Sequence, residues 1–470
     1  MNYWELRKAV SKVVPRMTQL IRQDGSEDMV KEKGRKSGYH QFNLRENEWV
    51  KQERLLNTEE VTSFLEISIR AQACPMPLNL DVWDGLVCPF ACRYCFANAF
   101  RASLYTAFFD NSKTMGFRHC NPDYYVKELD KLMPLRGKNP HDVGGDVQRA
   151  IAMEIPMRLG IRFEDFLVQE GNKGISLHLL RYLSQHSYPV MINTKSDLVA
   201  REEYLEALST NKGKAAVHVT IISNNDKLLK KLEPGAPHFA RRLEACRKLE
   251  AAGVRVVARI EPYLVFINDN PEEVREYMEQ IWEAGVRHIT FDTYSYSANN
   301  PGIRQAFVNE GLDFERMFTL GCDSQSLGSL LLGKFMQLFR KRGFSCSTFD
   351  LGNVADNDQA VCCEVGDWFK PSNGMGWNYG STVFAARFIK KHKGSPVSWK
   401  MYVQWVEEHG GFLSADLRAD VHHLWNVQGN EAYAFNWCRG IDPIGRDEDG
   451  IIWEYNGGED HREKLLKEVI

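Results

Sequence analysis

Leu78-Asn79-Leu80-Asp81-Val82-Trp83-Asp84-Gly85-Leu86-Val87 runs directly into Cys88-Pro89-Phe90-Ala91-Cys92-Arg93-Tyr94-Cys95-Phe96. The first part has the apolar character of a buried strand, and the second breaks it with a proline and three thiols. Gaps of four and three residues in this C-x3-C-x2-C spacing span at most about 14 and 11 Å of extended chain. That is enough to wrap one loop around a small cluster. Four cysteines are the usual ligands of a 4Fe-4S cluster, so three without an obvious local fourth imply one iron left open to a substrate or cofactor. Two readings compete. A zinc site usually adds a second Cys or His pair, which is not clear nearby. Buried structural thiols would be expected on a periodic core face rather than crowded beside Pro89 and aromatics.

Outward from this point, strand-like segments alternate with amphipathic ones. The strands are Leu78 to Val87, Ile155 to Ile161, Val190 to Thr194, Ala216 to Ile222, Val254 to Ile260 and His288 to Thr293. Helical runs lie between them at Ser176 to Gln185, Arg201 to Leu208, Phe239 to Ala252 and Pro271 to Ala284. Alternation of this kind predicts an α/β fold with a parallel sheet covered by helices, here a partial (βα)6 TIM-type barrel. Chemistry in such barrels sits at the C-terminal strand ends, and the cysteine loop follows the first predicted strand. The long insertion Phe100 to Met153 reads as a lid or substrate element.

The flanks differ. Residues 1–75 form an N-terminal, mainly helical extension interrupted by a loop from Gly25 to Gly38, and residues 76–296 form the barrel. The βα rhythm ends after about Tyr296; residues 297–380 form a cysteine-containing segment and residues 381–470 an aromatic-rich extension with His422, His423, Trp425 and Trp437.

The apolar fraction of 43% and charged fraction of 26% are those of a globular protein. No long apolar run and no signal-like opening is present, so neither membrane nor export is indicated, and a cytoplasmic location is expected. The eleven cysteines then read as reduced thiols or metal ligands rather than a disulfide scaffold. A net charge of -3 argues against binding nucleic acid through bulk charge. Local basic clusters occur at Lys227 to Lys231, Arg241-Arg242, Arg340-Lys341-Arg342 and Lys390 to Lys393.

The cysteine motif resembles the signature of the radical S-adenosylmethionine (radical SAM) enzymes. A narrower resemblance is carried by Asn193-Thr194-Lys195-Ser196, Val219-Thr220-Ile221, Leu232-Glu233-Pro234-Gly235-Ala236-Pro237 and Arg241-Arg242-Leu243-Glu244-Ala245. These look like the spore photoproduct lyase and DNA repair photolyase-like branch, over roughly Leu78 to Asp269. The resemblance implies a 4Fe-4S cluster on Cys88, Cys92 and Cys95, with S-adenosylmethionine on its open iron. Tyr94 and Phe96 would flank that site. Lys195 would meet the cofactor's carboxylate as a point charge, Thr220 would contact the cofactor, and Glu164 or Asp165 would face its amino group. Glu233 and Arg242 are expected to pair, either orienting the cofactor pocket or stapling the turn. An electron donor such as a flavodoxin or ferredoxin is also implied.

Departures from that branch narrow the activity. Its hydrogen-returning cysteine after the second strand is absent from Gly160-Ile161-Arg162-Phe163-Glu164-Asp165, and Phe96 replaces a tyrosine of its relay. Cleavage of spore photoproduct is therefore not predicted, and neither lyase nor transferase chemistry is assigned. Cys74, Cys120 or Tyr94 are candidate substitutes. Cys322, Cys346, Cys362 and Cys363 read either as ligands of an auxiliary iron-sulfur cluster or as buried or redox-active thiols. The expected function is a radical SAM enzyme acting on a nucleic-acid base or nucleotide, with C-terminal aromatics as stacking surfaces. The competing readings are a radical enzyme for a peptide or small metabolite, and a non-enzymatic metal-binding or interaction protein.

Overall fold

The computed structural model describes residues 2–11, 58–61, 66–68, 78–85, 88–95, 117–161, 163–294, 307–309, 311–312, 327–350, 352–353, 356–358, 362–368, 382–408, 415–426 and 440–457. Cys74, Phe96, Arg162, Cys322 and Trp437 lie outside these residues.

The alternating segments assemble into one sheet. Its strands are β2 (Glu66–Ser68), β3 (Asn79–Asp81), β6 (Met157–Leu159), β7 (Val190–Thr194), β8 (Ala215–Thr220), β9 (Arg255–Tyr263), β10 (His288–Thr293) and β11 (Ser345–Thr348), in the order β11-β10-β9-β8-β7-β6-β3-β2. Every neighbouring pair from β3 to β11 is parallel, and β2 joins antiparallel at the edge. Strands β7 and β8 are buried along their whole length, as expected for a sheet covered on both faces. The partial barrel is thus present, with two departures from the sequence reading.

First, the segment Leu78 to Val87 is not one strand. Asn79–Asp81 enters the main sheet, while β4 (Trp83–Gly85) joins β1 (Thr58–Val61) and β5 (Phe117–Cys120) in a small second sheet. The Asp165 carboxylate accepts the backbone N–H groups of both Val82 and Trp83 at 3.1 Å, which fixes the break between the two strands. Second, the βα rhythm does not end near Tyr296. Helix α7 (Leu327–Arg342) leads into β11, which pairs parallel with β10. Its Phe335 and Phe339 rings pack on Phe291 of β10 at 5.9 and 5.2 Å.

The helices begin and end where local chemistry directs. Helix α4 (Asp226–Leu232) starts at Asn225, whose side chain accepts from the Lys227 and Leu228 N–H groups. Helix α6 (Pro271–Glu283) starts at Asn270 with proline in its first turn. Helices α2 (Ile175–Gln185), α3 (Glu202–Ser209) and α5 (Phe239–Ala251) complete the outer layer in this part of the chain. Within the insertion, α1 (Pro122–Leu132) packs against α2, and β5 is tied into the small sheet.

Successive strand residues point to opposite faces, so register decides what lines the interior. Val217, Val219, Val256, Ala258, Ile289 and Phe291 face the helices. His218, Thr220, Arg259, Glu261, His288, Thr290 and Ser347 face inward, with Thr220, Arg259, Thr290 and Ser347 in one row. Burying each large apolar side chain contributes about 1.5–3 kcal/mol.

The N-terminal helix, residues 3–11 among those described, docks on the barrel rather than standing apart. Tyr3 donates to Asp269 at 2.5 Å, and Arg7 forms a two-point contact with the same carboxylate at 2.9 Å. In the C-terminal part, α8 (Thr382–Lys391), α9 (Trp399–Glu408), α10 (Ala415–Asn426) and the hairpin of β12 (Ile441–Asp447) and β13 (Gly450–Tyr455) build an aromatic core that continues the hydrophobic core of the barrel. Phe388, Trp399, Tyr402, Trp425 and Trp453 are all buried in it. The expectation that such residues offer stacking surfaces is corrected here. The Trp425 and Trp453 indole N–H groups donate to the Ile451 and Trp425 carbonyls, so their polar edges serve the core as well.

Candidate active site

The cysteine loop is held by backbone bonds to a distant turn. Within it, Ala91 N–H donates to Cys88 O at 3.0 Å and Cys95 N–H to Cys92 O at 3.2 Å, giving two consecutive turns. Ala91 adopts φ 49°, a left-handed conformation that is costly for a residue with a Cβ. Across the gap, Arg93 N–H donates to Leu232 O at 2.8 Å and Gly235 N–H to Phe90 O at 3.1 Å. A Cβ on Gly235 would lie 2.0 Å from the Pro89 carbonyl oxygen, so this approach requires glycine. The Glu-Pro-Gly turn at the end of α4 is therefore the mould for the cysteine loop.

Beneath that contact lies a buried charge pair. The Glu233 carboxylate and Arg242 guanidinium meet at 2.5 Å, with no exposed side-chain surface on either. Arg242 also donates to the Thr220 carbonyl at 3.0 Å and the Pro237 carbonyl at 2.7 Å. Burial alone would lower the Arg242 pKa, but the Glu233 charge and hydrogen bond hold it above its ordinary value. Tyr94 donates its hydroxyl to Glu233. Burial, then the Glu233 charge, push the tyrosine's pKa well up, so Tyr94 stays a neutral donor. The expected Glu233–Arg242 pair is thus formed, and it ties the loop, the turn and the end of β8 together.

Cys92 is buried, while Cys88 and Cys95 are half-buried. Burial pushes the Cys92 thiol well up; Lys195 opposes this, and Glu233, Cys95 and Cys88 add to it. Those mutual effects place Lys195 and all three sulfurs in one electrostatic neighbourhood. The Lys195 ammonium lies 5.5 Å from the centre of the Tyr94 ring. No disulfide engages any of the three cysteines. Among the described residues no group of three His, Cys, Asp or Glu side chains closes around a point for a single metal ion. Three thiols on one moulded loop, with a cation beside them, fit a 4Fe-4S cluster.

The two acidic candidates after β6 have other partners. Glu164 accepts from the Thr194 hydroxyl at 2.6 Å, and from the Lys195 and Phe166 N–H groups at 3.0 Å. Burial raises its pKa, and these donors counter the rise. It fixes the exit of β7 and so aims Lys195. Asp165 accepts from Val82, Trp83 and Gly160 N–H groups. Its pKa is well up, first from burial and then from the Asp81 charge. Asp81 shares the Gly160 N–H and also accepts from Ile161. Both carboxylates act as backbone clips where β3 and β6 leave the sheet. Thr220 lies buried on the inner face.

The remaining cysteines do not come together as one set. Cys346 lies on β11 on the face toward α7, with its thiol against the Met336 and Phe344 carbonyls. Cys362 and Cys363 instead sit against the inner face, where His288 and His218 donate to their carbonyls at 2.8 and 3.2 Å. The period-2 alternation of a strand separates the two groups. An auxiliary centre joining Cys346 to the adjacent pair is thus corrected among the described residues. Cys120, offered as a substitute hydrogen donor, is buried in β5, where burial raises its pKa to about 12.

Sequence reasoning missed Asp81 and Tyr294. Tyr294 directly follows β10 and is buried, with its pKa raised by burial and by the Cys95 charge. Its place at a C-terminal strand end was the available signal. Thr290 and Ser347, in register on the inner face, have buried hydroxyls without a hydrogen-bond partner among the described residues.

Residues 85–281 match the family model of the radical SAM superfamily. Uncharacterised proteins of Mycobacterium tuberculosis and Mycobacterium bovis are 23% identical over 220 residues, covering 47% of this chain. The match spans 59% of the length of these relatives. Among solved structures, a spore photoproduct lyase complexed with dinucleoside spore photoproduct is similar at TM-score 0.42 and 15% identity, covering 61% of this chain and 79% of that one. Streptococcus suis SuiB bound to precursor peptide SuiA is similar at TM-score 0.38 and 14% identity, covering 59% of this chain and 49% of that one.

Proposed function

We propose that this chain, which carries a radical SAM domain over residues 85–281, is a radical enzyme that holds a 4Fe-4S cluster on Cys88, Cys92 and Cys95 and S-adenosylmethionine beside Lys195. The observation that carries this reading is the loop moulded on Gly235, which presents three thiols in the neighbourhood of the Lys195 ammonium. When bound, the cluster supplies an electron that splits the cofactor into methionine and a 5'-deoxyadenosyl radical, which takes hydrogen from a substrate carbon.

The protein's own residues have separable parts. Glu164 anchors the Lys195 main chain, so its ammonium is presented as a positioned charge for a carboxylate. Tyr94, Glu233 and Arg242 tie the loop to the end of β8. The inner face supplies polar groups for a substrate, including the Thr290 and Ser347 hydroxyls.

The substrate class placed first is a nucleic-acid base or nucleotide, supported by the Thr-Lys-Ser and Glu-Pro-Gly segments. Two observations favour a free or short substrate over a long polynucleotide, and keep the peptide or small-metabolite reading in play. The described C-terminal aromatics named above are core, and three of the four basic clusters have members engaged in ion pairs. Arg241 pairs with Asp197, Arg340 with Asp358, Arg342 with Glu279 and Lys390 with Asp356. A reducing, cytoplasmic setting with a flavodoxin or ferredoxin as electron donor accords with this chemistry.

The test is anaerobic incubation of the iron-loaded protein with S-adenosylmethionine, a reductant and deuterated nucleotides, oligonucleotides or peptides. Deuterium appearing in 5'-deoxyadenosine identifies the substrate class. No 5'-deoxyadenosine under any condition would leave the non-enzymatic reading.

A further inference from the structure

Cys362 and Cys363 are adjacent in sequence, both are buried, and their sulfur atoms stand 3.6 Å apart. Their main chain is clamped to three strands of the sheet. His288 of β10 donates to the Cys362 carbonyl at 2.8 Å and His218 of β8 to the Cys363 carbonyl at 3.2 Å. Arg255 of β9 binds the Asp367 carboxylate at 2.6 and 2.9 Å, holding the rest of the segment. The pair is therefore a fixed feature of the barrel interior and not two thiols on a loose surface loop.

The charges that reach Cys363 come from two strands: Arg158 of β6, and Arg259 and Glu261 of β9. Both cysteines in turn act on Arg259. The hydrogen bond from Cys362, then the two guanidinium groups, outweigh burial and push the Cys363 thiol below its ordinary pKa. A nucleophilic sulfur is thus set beside a second thiol within easy reach of a bond, which requires an S–S distance of about 2.05 Å.

We propose that Cys362 and Cys363 form a thiol oxidation site, a vicinal dithiol that hydrogen peroxide converts to a disulfide. The Cys363 thiolate attacks one peroxide oxygen, the O–O bond breaks, and with one proton taken up a sulfenic acid and one water result. The Cys362 thiol then attacks the sulfenic sulfur, forming the S–S bond and releasing a second water. In total two thiols lose two electrons and two protons, and one peroxide becomes two waters. An oxidant of this size suits a buried pair. Adjacent Cα atoms are about 3.8 Å apart, below the usual span of a disulfide, so the bond is strained and readily reduced. Its closure pulls on carbonyls held by the strands that end at Thr220 and Thr293.

The experiment treats the full-length chain, with and without its iron, with limiting hydrogen peroxide, blocks remaining thiols, and maps peptides by mass spectrometry. The expected result is loss of two hydrogens in the peptide carrying both cysteines, reversed by dithiothreitol. In Cys362→Ser a dimedone-reactive sulfenic acid accumulates at Cys363, and in Cys363→Ser oxidation slows at least tenfold. Full alkylation of both thiols after peroxide treatment, or a bond from either to another cysteine, overturns the proposal. Thermal melts confirm that both variants fold, and loss of S-adenosylmethionine cleavage has no bearing on this readout.

Discussion

Glu233 and Arg242 form an ion pair wholly enclosed by protein, on the underside of the loop that carries Cys88, Cys92 and Cys95. Enclosed pairs are costly to break, because the surviving charge has no solvent to turn to. Arg242→Met is predicted to destabilise the fold by about 3–5 kcal/mol, while the double change with Glu233→Gln costs less than the sum of the two single ones. Urea denaturation of the four forms measures the difference.

Gly235→Ala tests the mould. A Cβ there would sit 2.0 Å from the Pro89 oxygen, within the loop's own backbone. The variant is predicted to keep the far-ultraviolet dichroism of the barrel but to bind less than half the iron of the wild type. Iron and sulfide assays after anaerobic reconstitution check this.

Lys195→Met tests the positioned cation. Iron content is predicted to remain near that of the wild type, while affinity for S-adenosylmethionine falls about tenfold or more, corresponding to ~1.4 kcal/mol or more. Equilibrium binding to the reconstituted protein separates the two effects.

His288 provides a prediction on pH. Burial lowers its pKa to about 4, so the folded state keeps it neutral in a range where the unfolded chain, near 6.5, takes up a proton. The unfolded state then binds more protons as pH falls. Stability from this group is full above about pH 6.5, declines toward pH 4, and changes no further below it, a total of about 3 kcal/mol. In His288→Gln the loss of urea midpoint between pH 7 and pH 4.5 is predicted to be correspondingly smaller.

Much of this organisation was legible in the sequence for a definite reason. Parallel strands buried on both faces read as short apolar runs, and Val190 to Thr194 and His288 to Thr293 coincide with observed strands. The cysteine loop and the Glu233–Arg242 pair were legible because their residue types are rare in ordinary turns and cores. The split between Asp81 and Trp83 was not, because it depends on a carboxylate 82 residues away from Trp83. Strand β11 was hidden by its polar composition, Ser345-Cys346-Ser347-Thr348, which lacks an apolar run. For the same reason Cys346 read as a ligand in a loop, when its place on a strand turns it toward α7. Aromatic richness does not by itself distinguish a core from a binding surface, and Trp399, Trp425 and Trp453 proved to be core.

The central claim is that one iron of the cluster has no protein ligand and receives S-adenosylmethionine. Electron paramagnetic resonance of the anaerobically reconstituted, reduced protein, recorded with and without S-adenosylmethionine labelled with nitrogen-15 on its amino group, tests it most directly. The account predicts a reduced-cluster signal that shifts on addition and acquires hyperfine coupling to the label. A signal indifferent to S-adenosylmethionine, or a protein that takes up only zinc at Cys88, Cys92 and Cys95, would contradict it.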